Sequence, residues 1–195
     1  MQSLVIKSSN AADHPFSIGI DGGVFRFPQR LAEETSCFAI ALMGRHRVLL
    51  TKEGALRWQG QRKIRFGSFE FSVSPEETLR HLSIFDDETT KGVRERNGAR
   101  PYDLSTDDGR TFELADQPLI VGRHPSCDIR VDDPQVSQFH LALHLQNGAA
   151  ELCDLGSRNG TRLNGNEIRV GRLSAGCISF GRSTLSLSAR LSETS

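Results

Sequence analysis

The chain has 195 residues, 37% of them hydrophobic and 25% charged, with 24 lysines and arginines balanced by 24 aspartates and glutamates. That length suits one large domain or two of about 100 residues each, and the composition excludes an intrinsically disordered chain. Zero net charge removes the global field that would draw the protein to nucleic acid or an acidic membrane surface, so any anion recognition has to be local.

In chain order, short apolar and β-branched segments recur at LVIK (4–7), FAIAL (38–42), VLL (48–50), FEFSV (69–73), LIVG (119–122), LALHL (141–145) and TLSL (184–187), separated by turn residues. This is the rhythm of antiparallel β-sandwiches, and it predicts an all-β protein. Asn147-Gly148, Asn159-Gly160 and Asn164-Gly165 each read as a tight turn that needs positive φ. One helix is predicted over about 75–85, where Ser74-Pro75-Glu76-Glu77 combines an N-cap serine with proline at the first helical position, and Leu79, Leu82 and Phe85 follow. Residues 86–100 are charged and broken by Gly92 and Gly98, the character of a linker.

The expected organisation is a β-domain at 1–73, a linker with a short helix at 74–99 and a second β-domain at 100–190. A weak repeat supports two domains. Sliding the chain by 103 positions puts Gly19 on Gly122, Ala39 on Ala142 and Leu42 on Leu145. With gaps, residues 57–60 (RWQG) lie on 162–165 (RLNG), and Phe66-Gly67 lies on Phe180-Gly181. The first region is slightly basic, with 10 basic and 6 acidic side chains over 1–73, and the last slightly acidic, with 10 and 12 over 100–195.

No stretch approaches the roughly 20 apolar residues that span a bilayer, and the N-terminus has no apolar run of signal-peptide length. A cytosolic protein without membrane insertion is expected. Cys37, Cys127, Cys153 and Cys177 form no CxxC pair and have no zinc-like histidine spacing, so they read as reduced, small hydrophobes. His144 follows His140 by four positions without a third ligand, so no metal is expected. No nucleophile and base pair, paired carboxylates or phosphate-cradling loop stands out, and neither an enzyme nor a cofactor is predicted.

The informative residues are Gly122-Arg123, then Ser137-Gln138-Phe139-His140, then Ser157-Arg158-Asn159-Gly160-Thr161, followed by Asn164-Gly165 and Phe180-Gly181. A phosphothreonine brings a charge of about −1.5 to −2 and three strong acceptor oxygens. Binding it calls for an always-charged planar donor and a short hydroxyl donor on rigid loops, which Arg123 and Ser137 supply.

In this order and spacing, about residues 102–187 resemble the forkhead-associated (FHA) domain family, an eleven-stranded β-sandwich with its binding loops at one end. The resemblance implies that Ser137 contacts phosphate, that Arg123 contacts phosphate or supports the peptide, and that Asn159 contacts the peptide backbone. It implies that Gly122, His140 and Gly160 support the loops. Gln138 stands where family members often carry a basic or amide side chain, and Arg158 or His124 would restore charge nearby. The implied function is a phosphothreonine-dependent protein-binding adaptor in Ser/Thr kinase signalling or complex assembly. The alternative is a phosphate-independent scaffold of two FHA-like domains, as in some bacterial secretion machines.

In the 103-residue alignment Arg123 falls on Ile20, Ser137 on Glu34 and His140 on Cys37, so residues 1–73 read as a degenerate FHA-like copy without the site. Thr89 and Thr90 follow the acidic Asp86-Asp87-Glu88. Similar linker segments in small bacterial FHA regulators suggest that phosphorylated Thr89 or Thr90 occupies the site, in the same chain or in a neighbour by self-association.

Overall fold

The structure, a computed structural model, describes residues 2–8, 11–18, 23–44, 46–59, 63–73 and 102–190. The predicted helix at 75–85, the linker at 74–99 and both Thr89 and Thr90 lie outside the described residues. The chain divides into two compact units, Met1–Gly92 and Val93–Ser195.

In the first unit the elements are β1 (Gln2–Ser8), β2 (Ala11–Ile18), β3 (Val24–Arg26), α1 (Gln29–Thr35), β4 (Cys37–Met43), β5 (His46–Thr51), β6 (Ala55–Gln59), β7 (Lys63–Phe66) and β8 (Phe69–Val73). They form two four-stranded sheets, β2-β1-β8-β7 and β3-β4-β5-β6. Ile40 and Leu49 from one sheet and Phe71 from the other, all fully buried, join a core that also includes Phe27, Leu31 and Cys37. A small β-sandwich results. Helix α1 is absent from the sequence-based expectation. It has only seven residues, no side-chain cap at Pro28, and a left-handed Ser36 that ends it at φ 56°. What holds it is packing: Leu31 is buried and Ala32 packs on the same core, in line with helices owing most of their stability to tertiary contacts.

Among the described residues the second unit contains eleven strands: β9 (Tyr102–Thr106), β10 (Thr111–Glu113), β11 (Leu119–Gly122), β12 (Ile129–Arg130), β13 (Leu141–Gln146), β14 (Ala149–Asp154), β15 (Thr161–Leu163), β16 (Asn166–Ile168), β17 (Val170–Leu173), β18 (Gly176–Phe180) and β19 (Ser183–Ala189). One sheet runs β10-β9-β19-β18-β15-β16 and the other β12-β11-β13-β14-β17. Alternation puts Leu141, Leu143, Leu152, Ile178, Phe180, Leu185 and Leu187 into the shared core. Strands β8 and β11 coincide with FEFSV and LIVG.

Two of the three Asn-Gly pairs close hairpins with both residues at positive φ: Asn147 and Gly148 at 52° and 77°, Asn164 and Gly165 at 49° and 85°. The third departs from expectation. Only Gly160 is left-handed, at 74°, and Asn159-Gly160 lies in the connection between β14 and β15. A second departure concerns the cysteines: Cys37, Cys127 and Cys153 are buried, whereas Cys177 is exposed. Burial raises the Cys37 thiol to about 11 and the Cys153 thiol to about 12, so both stay protonated and inert.

Leu152 is fully buried and paired with Leu143 at the centre of the second sandwich. Leu152→Ala is expected to remove about 2–5 kcal/mol of stability, read as a lowered urea midpoint with an unchanged m-value.

Candidate functional site

Three connections meet at one end of the second sandwich: 123–128 after β11, 131–140 before β13, and 155–160 after β14. The first two are joined through their backbones, where the Arg123 N–H donates to the Ser137 carbonyl at 3.0 Å and the His124 N–H to the Gln138 carbonyl at 2.9 Å. Gly122 makes this approach feasible. A Cβ there would lie 2.3 Å from the Gln138 carbonyl oxygen, closer than any side chain tolerates.

The second and third connections are joined through side chains. The Arg158 N–H donates to Ser137 Oγ at 3.0 Å, and Asn159 Nδ2 donates to the Gln135 carbonyl at 2.7 Å. His140 is fully buried and works from below: its Nδ1 accepts the Ser137 N–H at 3.1 Å and its Nε2–H donates to the Gly160 carbonyl at 3.2 Å. Accepting at Nδ1 and donating at Nε2 requires the neutral ring. Burial keeps it so by pushing its pKa below the ordinary 6.5. The ring also sits 5.2 Å, centroid to centroid, from Phe180 in the core.

Arg123, Gln138, Arg158 and Asn159 are exposed around half-buried Ser137. The Ser137 oxygen accepts from Arg158, which turns its own O–H into a donor for whatever binds above. Asn159 uses one amide hydrogen on the loop and retains its Oδ1 acceptor and a second hydrogen. His124 is less available: its ring stacks on Phe139 at 4.9 Å, and Nδ1 is engaged by the Ser126 N–H and hydroxyl. His144 sits elsewhere, on β13, with its Nε2 3.3 Å from Gln146 Oε1 and 3.7 Å from a Glu151 carboxylate oxygen.

Sequence reasoning did not single out two buried aspartates that hold the loops. Asp154 accepts from the Gly156 and Ser157 N–H groups at 2.8 and 2.7 Å and from the Ser157 and Thr161 hydroxyls at 2.6 and 2.5 Å. Asp133 accepts from the Arg182 N–H at 2.7 Å and the Gln135 N–H at 2.9 Å. Those two bonds, Arg182 first, hold its carboxyl below the usual carboxylate range. The signal that could have found Asp154 is an aspartate two residues before a glycine at a strand end, the pattern of an Asx turn.

Residues 119–181 match the FHA domain family. The second unit carries an FHA domain. The chain is 29% identical over 127 residues to the oxoglutarate dehydrogenase inhibitor of Corynebacterium glutamicum, a match that covers 51% of this chain and 88% of that protein. It is 38% identical over 71 residues to the glycogen accumulation regulator GarA of Mycolicibacterium smegmatis, covering 30% of this chain and 45% of GarA. The match therefore spans less than half of that regulator. The solved FHA domain of the CT664 protein from Chlamydia trachomatis is 27% identical, with a TM-score of 0.45 and coverage of 47% of this chain and 99% of that one.

Two outcomes follow for the FHA domain. Gly122→Ala is expected to destabilise it by about 1–3 kcal/mol through forced separation of the first two loops, measured by chemical denaturation. A histidine whose folded pKa is depressed binds fewer protons than in the unfolded chain. Stability is therefore fully present above the ordinary 6.5 and falls as pH drops from there through the lowered value. Thermal midpoints recorded downward from about pH 7 should fall more steeply in the wild type than in His140→Gln.

Proposed function

We propose that the FHA domain binds a phosphothreonine-containing segment of a protein in a Ser/Thr kinase pathway, acting as an adaptor in the cytosol rather than as an enzyme. The observation that carries this reading is the convergence of the Arg123 guanidinium, the Ser137 hydroxyl and the Asn159 amide on loops laced by Arg158 and His140. A doubly charged phosphate gains most from donors already held in place, because charge-assisted bonds depend on geometry and nothing need be reorganised on binding. Arg123 brings permanent charge, and its Nε lies only 3.4 Å from the Val136 carbonyl, a long bond that phosphate oxygens can replace. Ser137 donates its hydroxyl, and Asn159 has both acceptor and donor for the peptide backbone. Gln138 adds a neutral donor and Arg158 a second cation beside the site. The regulator and inhibitor that the chain is similar to make a regulatory role consistent with this chemistry. Among the described residues no helix is long and apolar enough to cross a membrane.

Thr89 and Thr90 are proposed as an internal ligand. Tyr102, on the first strand of the domain, stands twelve positions after Thr90, and at about 3.3 Å per residue a fully extended connection would reach at most roughly 40 Å. Phosphorylated in this acidic segment, either threonine would compete with an external peptide, in the same chain or a neighbouring one. The competing reading is a phosphate-independent scaffold, which requires equal binding of phosphorylated and unphosphorylated partners.

Calorimetric titration with a degenerate phosphothreonine peptide pool and its unphosphorylated counterpart separates the two. Phosphate-dependent binding is expected, and Arg123→Ala and Ser137→Ala should each weaken it by about 10- to 100-fold, as loss of a hydrogen bond to a charged group worth about 1.5–3 kcal/mol implies. Equal affinity for both pools would establish the scaffold instead. For the linker, a chain phosphorylated at Thr89 or Thr90 should bind added phosphopeptide more weakly than the unmodified chain, and unchanged affinity would remove the internal ligand.

A further inference from the structure

The two units share more than a fold class. Removing β12, β15 and β16 from the FHA domain leaves the sheets β10-β9-β19-β18 and β11-β13-β14-β17. The first unit has β2-β1-β8-β7 and β3-β4-β5-β6, which is the same sequence of neighbours in each sheet.

The agreement extends to register. The β4–β5 hairpin closes at Met43 opposite His46, and the β13–β14 hairpin at Gln146 opposite Ala149. From there Ile40 pairs with Leu49 and Phe25, while Leu143 pairs with Leu152 and Leu119. All four of Ile40, Leu49, Leu143 and Leu152 are fully buried. The last hairpins also correspond: Phe66 faces Phe69 across Gly67, and Phe180 faces Ser183 across Gly181, the two glycines having φ 57° and 61°. Five residues beyond Phe66 and Phe180, Phe71 pairs with Ile6 and Leu185 with Thr106, and both Phe71 and Leu185 are fully buried.

Register also amends the sequence alignment. Arg57 pairs with Val48 as Arg172 pairs with Glu151, so Arg57 corresponds to Arg172 and not to Arg162. Phe25 corresponds to Leu119, which moves the start of the repeat away from the 103-residue offset; Gly19 lies outside the described residues.

Two connections differ in the part of the fold that carries the candidate site. Between Arg26 and Cys37 the first unit has ten residues, 27–36, where the FHA domain has nineteen, 121–139, between Ile120 and His140. Between Thr51 and Ala55 it has three, 52–54, where the FHA domain has fifteen, 155–169, between Asp154 and Val170. The longer versions carry Arg123, Ser137, Arg158 and Asn159. In the shorter ones, α1 fills the first connection, and its outward polar residues engage one another: Gln29 donates to Glu33 at 3.0 Å, and Arg30 pairs with Glu34 at 3.1 Å. Glu34 is thus a helix-surface residue and not a replaced Ser137. Thr51 closes the second connection on itself, accepting the Glu53 and Gly54 N–H groups and donating to the Gly54 carbonyl at 2.8 Å, just as Asp154 caps the longer loop.

We infer that the first unit is a copy of the FHA framework from which both phosphate-recognition loops have been cut, so that the chain offers one phosphoanion site and not two. The framework correspondence stands on strand order and register alone; the single site rests in addition on the function proposed for the FHA domain.

The test uses the full chain. Backbone NOEs are expected between the strands that define the shared framework, Leu4 with Val73, Ile6 with Phe71, Phe25 with Ile40, and Leu49 with Leu56. Titration with a phosphothreonine peptide should saturate at one equivalent, and the Ser137→Ala/Asn159→Ala double variant, with the first-unit NOEs unchanged, should bind it at least about 10- to 100-fold more weakly. Absent NOEs overturn the copy whatever the titration gives. A second equivalent, or phosphate-dependent binding of undiminished affinity in the double variant, overturns the single site. A wild-type chain that binds no phosphopeptide while showing the NOEs defeats the function proposed for the FHA domain and upholds the copied framework.

Discussion

His140 holds two loops of the FHA domain at once, accepting a backbone N–H from the serine loop and donating to a carbonyl of the asparagine loop. The recognition end depends on this because neither loop has a regular ladder of its own there. Only a ring that is neutral, buried and fixed in one tautomer can play both parts, and the core behind it supplies that condition by excluding water and resting the ring against Phe180. Donors exposed on flexible loops would lose much of their value to ordering entropy on binding. Held from below, they can meet an anion already arranged.

Around that ring the structure divides its labour. Exposed polar side chains line the top of the loops, and buried carboxylates hold the backbone beneath them. Asp154 gathers four donors within the 155–161 stretch, and Asp133 ties the serine loop to the β18–β19 turn. A buried carboxylate is tolerated when its oxygens are hydrogen-bonded: Asp154 accepts four donors, and Asp133 accepts one on each oxygen. The same turn accounts for Gly181, where a Cβ would lie 2.6 Å from Asp133 Oδ2. The loops are therefore irregular without being loose.

The framework beneath the loops is separable from them. Eight strands with matching neighbours form a core in the first unit as well, where a seven-residue helix and a three-residue turn stand in the two connections that are long in the FHA domain. Burial in that unit comes from Ile40, Leu49 and Phe71, so the sandwich does not need the loops in order to fold. This is the physical basis on which one chain can hold a sandwich with long loops at one end and a sandwich with short ones.

Residue order alone determined the all-β character, because two-residue periodicity and Asn-Gly turns are local properties: FEFSV and LIVG became strands residue for residue, and Asn147 and Asn164 took the left-handed conformations their turns require. The candidate site was legible for the same reason, as Arg123, Ser137, His140 and Asn159 stand in a recognisable order. Tertiary structure decided the rest. Whether Asn159-Gly160 closes a hairpin or a longer loop, whether Gln29–Thr35 becomes helical, and which strands of the first unit pair with one another all turned on partners far away in the chain. Asp154 shows the division: Asp-Leu-Gly after a strand signals a local Asx turn, but that its carboxylate also takes the Ser157 and Thr161 hydroxyls was set by the path of the backbone.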